Sequence, residues 1–280
     1  LTFRDQYLGR NDMWRLRQSL LGKTVYISQR VLFAGCIRAQ VGDIYIGGRP
    51  AASALIGEGT RVIFRSESAK FFILIQMSRE MWEFDDDGQL FYEKVTHQFL
   101  PELFARWKAI SANHVVCIVL FTRVFYDFME PDFTACPADD EQSPRWYKDY
   151  YKVLADWETR SDWSQVLPVL KREQVEFKRA VLTRETSPYA AATGTISMAR
   201  HGNVLEAISL ALNTFDRHYV DRDLLRTGQA IMVLTPGAGY FEVDKKLLRL
   251  TAERMFDSGI ALDLVCLDQI PLHAAPLFKF

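Results

Sequence analysis

Residues Ile231 to Gly239 read IMVLTPGAG, an apolar run that ends at Thr235 and opens into a glycine-containing loop. An earlier stretch, Phe71 to Glu80, repeats the arrangement as FFILIQMSRE. Strands buried on both faces of a parallel sheet read as continuous hydrophobic runs, because helices cover them from both sides. Both runs stop at small polar residues, and strand ends are where α/β proteins place their ligands. These two stretches therefore predict an α/β fold and mark where any chemistry would sit.

Outward from them the pattern from Lys70 onward alternates strand and helix. HVVCIVLF (114–121) reads as a strand and Phe91 to Ile110 as a helix whose Phe91, Val95, Phe99, Leu103 and Trp107 recur every four residues. Pro101 lies inside that helix, where it removes a hydrogen bond and crowds the carbonyl four residues back, so a kink or a break is expected. Asn203 followed by Glu206 reads as a capping box opening NVLEAISLALNTF. Asp244 is placed to cap DKKLLRLTAERMFDSG, which stops at Gly259 before the strand IALDLVCL (260–267). Alternation of this kind predicts a parallel, doubly wound sheet. Residues 1–68 differ. After a short polar helix near Asn11 to Leu21 come short strands, TVYISQ, VLFAGCIRAQ, DIYIGG and TRVIFRS, with turn signals at Gly47-Gly48 and Gly57-Glu58-Gly59. A small antiparallel β module is expected there, with the α/β domain over 69–280.

Two stretches interrupt the α/β pattern. Glu130 to Pro144 is acidic and proline-containing, as an exposed loop would be, and Thr183 to Gly202 has few large apolar residues and reads as a mobile loop. Between them, 145–158 and 161–182 read as an aromatic-rich helical insertion. Its Trp146, Tyr147, Tyr150, Tyr151, Trp157 and Trp163 either pack the insertion onto the sheet or form a protein-binding face.

Composition excludes several classes. With 49% hydrophobic and 25% charged residues in 280, the chain reads as globular, and its net charge of −1 gives no electrostatic case for nucleic acid or an anionic membrane surface. Cys36, Cys117, Cys136 and Cys266 are widely spaced, which favours a reducing, cytosolic setting. No apolar run approaches the ~20 residues of a membrane span. Leu1 is not an initiator methionine, so a piece of a longer protein is expected.

The strand ends carry the candidate sites. In the von Willebrand A-type fold, which this pattern resembles, one strand end supplies Asp-x-Ser-x-Ser and a later one Thr-Asp-Gly, together holding a metal ion. The matching positions here are Gln76, Ser78 and Glu80, then Thr235 and Pro236. An amide and a proline replace two carboxylates, and magnesium usually takes one or two carboxylates to hold it. The expectation is a degenerate site with no metal and no cofactor. Asp85-Asp86-Asp87-Gly88 reads as an Asp-rich turn. Gly237-Ala238-Gly239 lacks the third small residue of a dinucleotide loop, having Glu242 instead, and no GxxxxGK[ST] is present. There is no GxSxG elbow, and the five histidines lack metal-ligand spacing. Arg123, after VVCIVLFT, sits at a strand's C-terminal end and is a candidate interface residue alongside Trp146, Tyr150, Tyr151, Trp157 and Trp163.

Longer strings narrow the reading further. DQYLGRNDMWRL (5–16), TRVIFRSESAKFFILIQMSREMWEF (60–84), VLFTRVFYD (119–127), RWYKDYYKV (145–153), LTPGAGYFEVDKKLL (234–248), GIALDLVCL and PLHAAPLFKF (259–280) resemble the Iml-type, DEP-domain-containing subunit of the GATOR complex, SEACIT in yeast. The resemblance runs nearly end to end and matches that family's N-terminal domain and SABA domain. It implies a non-catalytic scaffold in a GTPase-activating assembly that acts on Rag GTPases at the lysosomal or vacuolar surface and restrains TOR signalling when amino acids are scarce. It also implies contact with a nitrogen-permease-regulator-like subunit, the catalytic arginine belonging to a partner. Two rivals stand beside it: a cation-dependent binding module using Ser78 and Glu80, and a nucleotide-binding enzyme using the Gly237 loop.

Overall fold

A computed structural model describes residues 1–4, 6, 8–127, 129, 131–135, 146–182, 194–217, 228–237, 239–258, 260–268 and 277–280. Cys136, Gly259, His218, most of the acidic 130–144 stretch and residues 183–193 lie outside the described set.

The first module holds β1 (Thr2–Phe3), α1 (Arg10–Leu20), β2 (Thr24–Tyr26), β3 (Arg30–Phe33), β4 (Ile37–Gln40), β5 (Tyr45–Ile46), β6 (Arg49–Pro50), β7 (Ser53–Leu55) and β8 (Arg65–Ser66). Its main sheet runs β3-β4-β1-β8, and β2-β7 and β5-β6 pair separately. The pairing is antiparallel except where β1 meets β8 in parallel, a correction to the all-antiparallel expectation. Gly47 and Gly48, both at positive φ, turn β5 into β6. Leu16 and Leu20 of α1 close a core with Phe3, Val25, Ile37 and Ile56.

The second domain is built on β9 (Ala69–Gln76), β10 (Val115–Tyr126), β11 (Thr134–Ala135), β12 (Trp146–Thr159), β13 (Thr195–Ile196), β14 (Gly228–Thr235) and β16 (Ala261–Cys266). The strand order is β11-β12-β10-β9-β14-β16, with β13 also on β10. The four central strands, β10, β9, β14 and β16, are parallel. β12 and β13 run antiparallel to β10, so the sheet is mixed rather than purely parallel. Ile73, Leu74, Ile75, Ile118, Leu120, Val233 and Leu234 are essentially inaccessible, as their uninterrupted apolar spelling requires. Each such side chain contributes about 1.5–3 kcal/mol on burial.

The helices cover the two faces: α2 (Phe91–Glu93), α3 (Leu100–Ala109) and α4 (Leu167–Leu182) on one, α5 (Val204–Arg217) and α6 (Lys245–Ser258) on the other. A small parallel pair, β15 (Phe241–Glu242) with β17 (Phe278–Lys279), flanks the second face. α2 and α3 are joined through a π-helical stretch, Lys94–Phe99, immediately before Pro101. A wider turn gives room for a ring that would crowd the carbonyl four residues back, so the helical run continues past Pro101 without a break. The apolar stripe shifts accordingly. Phe91, Val95, Leu100, Phe104 and Trp107 are buried, and the expected Phe99 and Leu103 are only half-buried beside them. Asp244 caps α6 as expected, its carboxylate accepting the Leu247 N–H at 2.7 Å. Asp85 accepts the Asp87 and Gln89 N–H groups in an Asp turn. His114 is structural, its Nδ1 accepting the Ala69 N–H at 3.0 Å between Phe71 and Trp107.

Two expectations fail. Residues 146–159 are not helical but form β12, paired with β10 along eleven registers with two bulges near Ile118. At those bulges Trp157 takes a φ of 51°. The turn drives its ring between Phe72 and Phe215 of the second face. Residues 194–203 are ordered, and they complete the candidate site.

Candidate functional site

The parallel strands end together, and their C-terminal ends form a crest. β9 stays paired with β10 as far as Gln76↔Phe121 and then turns away. β10 continues, and β13 takes up the vacated side through Val124↔Ile196 and Phe125↔Thr195. The chain from Gly194 to Asn203 is thereby laid as a strap across the crest. Ser197 N–H bonds the Arg123 carbonyl and Arg79 N–H bonds the Ser197 carbonyl, both at 2.9 Å.

Three of the five sequence-predicted crest positions, Gln76, Glu80 and Thr235, turn their polar groups into fixing this strap. Gln76, 1% exposed, donates from Nε2 to the Ala199 carbonyl at 2.9 Å. Its Oε1 accepts from Thr235 Oγ1 at 2.6 Å, and Thr235 Oγ1 in turn accepts the Gly237 N–H at 3.1 Å. Glu80 takes the Ala199 N–H on both carboxylate oxygens, at 2.9 and 3.0 Å. Ser78 starts the 3-10 turn Arg79–Trp82 and is fully buried, its Oγ without a hydrogen-bond partner among the described residues. Pro236 follows Thr235 and contributes no donor.

The substitution of an amide for a carboxylate explains the geometry. An acid at position 76 would be a buried charge, costing several kcal/mol unless a cation met it. The amide is neutral and can both donate and accept, so it bridges Thr235 to the strap backbone. Small strap residues permit the approach. A Cβ on Gly202 would overlap Gln76 Nε2, and one on Gly237 would lie 2.9 Å from Ala199 Cβ.

A metal ion of the kind the fold family holds does not fit these residues. Glu80 is the crest's acid, and both its oxygens are committed to Ala199. Among the described residues no cluster of three or more His, Cys, Asp or Glu side chains occurs.

Beside the crest, Arg123 lies within β10 rather than at its end, with a side chain only 13% exposed. It forms a fork with Asp149 at 2.8 and 3.0 Å, reaches Glu206 at 2.9 Å and stacks 4.0 Å from the Tyr147 ring. These carboxylates hold its pKa above the ordinary arginine value despite burial, which acts the other way. Glu206 is thus drawn to Arg123 and forms no capping box, and neither side-chain atom of Asn203 caps α5.

The aromatic candidates do not share one surface. Trp146 and Tyr150 pack toward α4, Trp163 is buried in that same core, and Trp157 belongs to the opposite face. Tyr150 meets the Tyr126 hydroxyl at 2.7 Å. Tyr151, 38% exposed, and its neighbour Val153, 54% exposed, reach solvent. Sequence reading missed Ala199, Ser197 and Gly202, whose backbone rather than side chains does the work; Asp149 and Glu206 carried no motif.

A von Willebrand A-like α/β domain with its ligand crest sealed by its own chain, preceded by a small β module, defines the class of protein. Comparison with known families gives the rest: residues 68–280 match the model described as "Vacuolar membrane-associated protein Iml1, vWA-like domain", and residues 1–66 match the "IML1 small domain". The chain belongs to the Iml1 family. It is 45% identical over 282 residues to a DEP domain-containing protein of Dictyostelium discoideum, covering all of this chain and 12% of that relative. It is 41% identical over 289 residues to the GATOR complex protein Iml1 of Drosophila melanogaster, again over the whole chain and 18% of the relative. With the vacuolar membrane-associated protein iml1 of Schizosaccharomyces pombe it shares 38% over 304 residues, the whole chain and 20% of the relative. The chain spans less than a quarter of the length of these relatives.

Proposed function

We propose that this region is a non-catalytic scaffold within a GATOR-type GTPase-activating complex, holding a nitrogen-permease-regulator-like subunit so that the assembly acts on Rag GTPases and restrains TOR signalling. The observation that carries the reading is the sealed crest: the position where an α/β fold of this type takes a ligand is filled by Ala199, held by Gln76 and Glu80. A fold in this state has its faces and edges left for binding. The exposed Tyr151 and Val153 of β12 are the proposed point of contact. The names of the Drosophila and fungal relatives, a GATOR complex protein and vacuolar membrane-associated proteins, support the complex and the place, the vacuolar or lysosomal membrane. Among the described residues no helix is long and apolar enough to cross a membrane, so attachment is peripheral in this reading. The division at residue 68, module before and SABA-type domain after, is part of the same proposal.

The test is co-purification of the 280-residue chain with recombinant permease-regulator-like subunits. Capture that is lost in Tyr151→Asp/Val153→Asp supports the scaffold and its contact point. Failure of the folded chain to capture either subunit overturns it.

A further inference from the structure

The net charge of −1 conceals a division. Residues 1–66 carry ten Lys and Arg against four Asp and Glu, a formal charge of +6, which leaves −7 for residues 67–280. Charge asymmetry on this scale between parts of one chain points to a polyanionic partner for the basic part. Within the module the charge sits on a particular feature, an open groove of about 740 Å³. Tyr45, Ile46, Leu55 and Ile63 line it and are each more than half exposed. Arg61 and Arg65 are exposed along the same groove, and Arg49 is paired directly across from Ile46 in the β5–β6 hairpin. Asp43 is the acidic residue in the lining. Among the described residues, the module's ion pair is Arg4 with Glu67, which leaves these three arginines outside it.

We propose that this arginine-rimmed groove is the surface by which the chain docks on an anionic phospholipid membrane. The inference rests on the reading above that this region works at a membrane, and it assigns which residues touch it. Arginine at headgroup depth meets lipid phosphates, and apolar side chains beside it enter the acyl boundary. The Gly47-Gly48 tip lets the hairpin present Tyr45 and Ile46 outward for that purpose. A soluble acidic peptide would satisfy the charge and leave four large apolar groups in water. The negative remainder of the chain turns the module, and not the α/β domain, toward a negative surface.

The experiment is co-sedimentation of the 280-residue chain with phosphatidylcholine vesicles, with and without phosphatidylserine, across a salt series. The proposal expects binding only to the anionic vesicles, weakening as salt rises. Arg49→Glu/Arg61→Glu/Arg65→Glu is expected to lower the partition coefficient at least tenfold, with the circular dichroism spectrum unchanged. Ile46→Ser, a milder change at a hairpin tip, is expected to lower it by about threefold with the salt dependence kept, in line with losing one inserted side chain. Absence of binding to anionic vesicles, or equal loss from Lys171→Glu/Arg172→Glu on α4, would overturn it. So would retention on polyglutamate beads without vesicle binding, which would make the occupant an acidic protein segment. None of these readouts involves the partner subunits, so failure here leaves the scaffold reading standing, and failure of co-purification leaves this one standing.

Discussion

Glu80 and Ala199 are 119 residues apart in sequence, yet both oxygens of the Glu80 carboxylate accept the one Ala199 N–H. The strap is therefore anchored by a charge-assisted bond at its midpoint. Glu80→Ala should destabilise the domain by about 1–2 kcal/mol, the lower range for a hydrogen bond to a partly exposed charged group. Hydrogen exchange should accelerate at residues 197–202 before it does elsewhere. Unchanged protection there would mean that Glu80 does not hold the strap.

Gly202 faces the fixed Gln76 amide, and a methyl group at that position overlaps Nε2. Gly202→Ala should cost about 1–3 kcal/mol, since Gln76 must leave both Thr235 and the Ala199 carbonyl to make room. In a Gln76→Ala background the same substitution should cost far less. Thermal melts of the double-mutant cycle check this, and additive losses would refute the contact.

Arg123 binds two carboxylates with little access to water. Arg123→Ala strands Asp149 and Glu206 and should destabilise by about 3 kcal/mol or more, as breaking partly buried ion pairs does. Arg123→Lys should recover only part, because a lysine cannot reproduce the planar fork or the stacking on Tyr147. Urea denaturation of the two variants ranks them, and equal midpoints would count against the fork.

Burial pushes the Cys117 thiol up to about 12, whereas Cys36 is exposed. Cys36 should react with a thiol reagent at pH 8 in the native protein, with Cys117 reacting only on unfolding. The unfolded thiol ionises from about 9 and the folded one near 12, so this group's contribution is complete below pH 9 and lost as pH rises toward 12. Tyr92, also raised chiefly by burial, acts in the same direction. Alkaline titration of the unfolding free energy should fall through this window, and a flat profile would contradict the burial.

What could be read from the sequence follows from how each segment is buried. β9, β10 and β14 are covered on both faces, and their spelling is a continuous apolar run that admits few other structures. β12 was harder. Tyr147, Asp149, Trp146 and Tyr150 serve different faces of the sheet, bulges break its alternation, and the aromatic spacing imitates a helix. Pairing with β10 overrides that local pattern, and abundant Tyr, Trp and Val was the available signal. The strap was misread for the opposite reason. Its small residues spell mobility, but Gly194 and Gly202 are small because Val124 and Gln76 lie against them. The five crest positions follow from matching the two strand ends to the von Willebrand A-type motif that they resemble. Their partner, a backbone amide at Ala199, has no side-chain signature to find. The charge division between the modules was present in the sequence and vanished in the average.

The π-helical stretch at Lys94–Phe99 sets the phase of everything after it. The step from Val95 to Leu100 is one residue longer than an α-helical face allows, and from there Phe104 and Trp107 fall into the core. Deleting one residue between 96 and 99 would shorten that step to the four residues of an ordinary α-helical turn, with Leu100, Phe104 and Trp107 still facing the core. What such a deletion would remove is the widened turn that makes room for the Pro101 ring. The stretch thus holds one residue more than its neighbours' packing asks for, and that extra residue is what carries Phe99 and Leu103 off the core face.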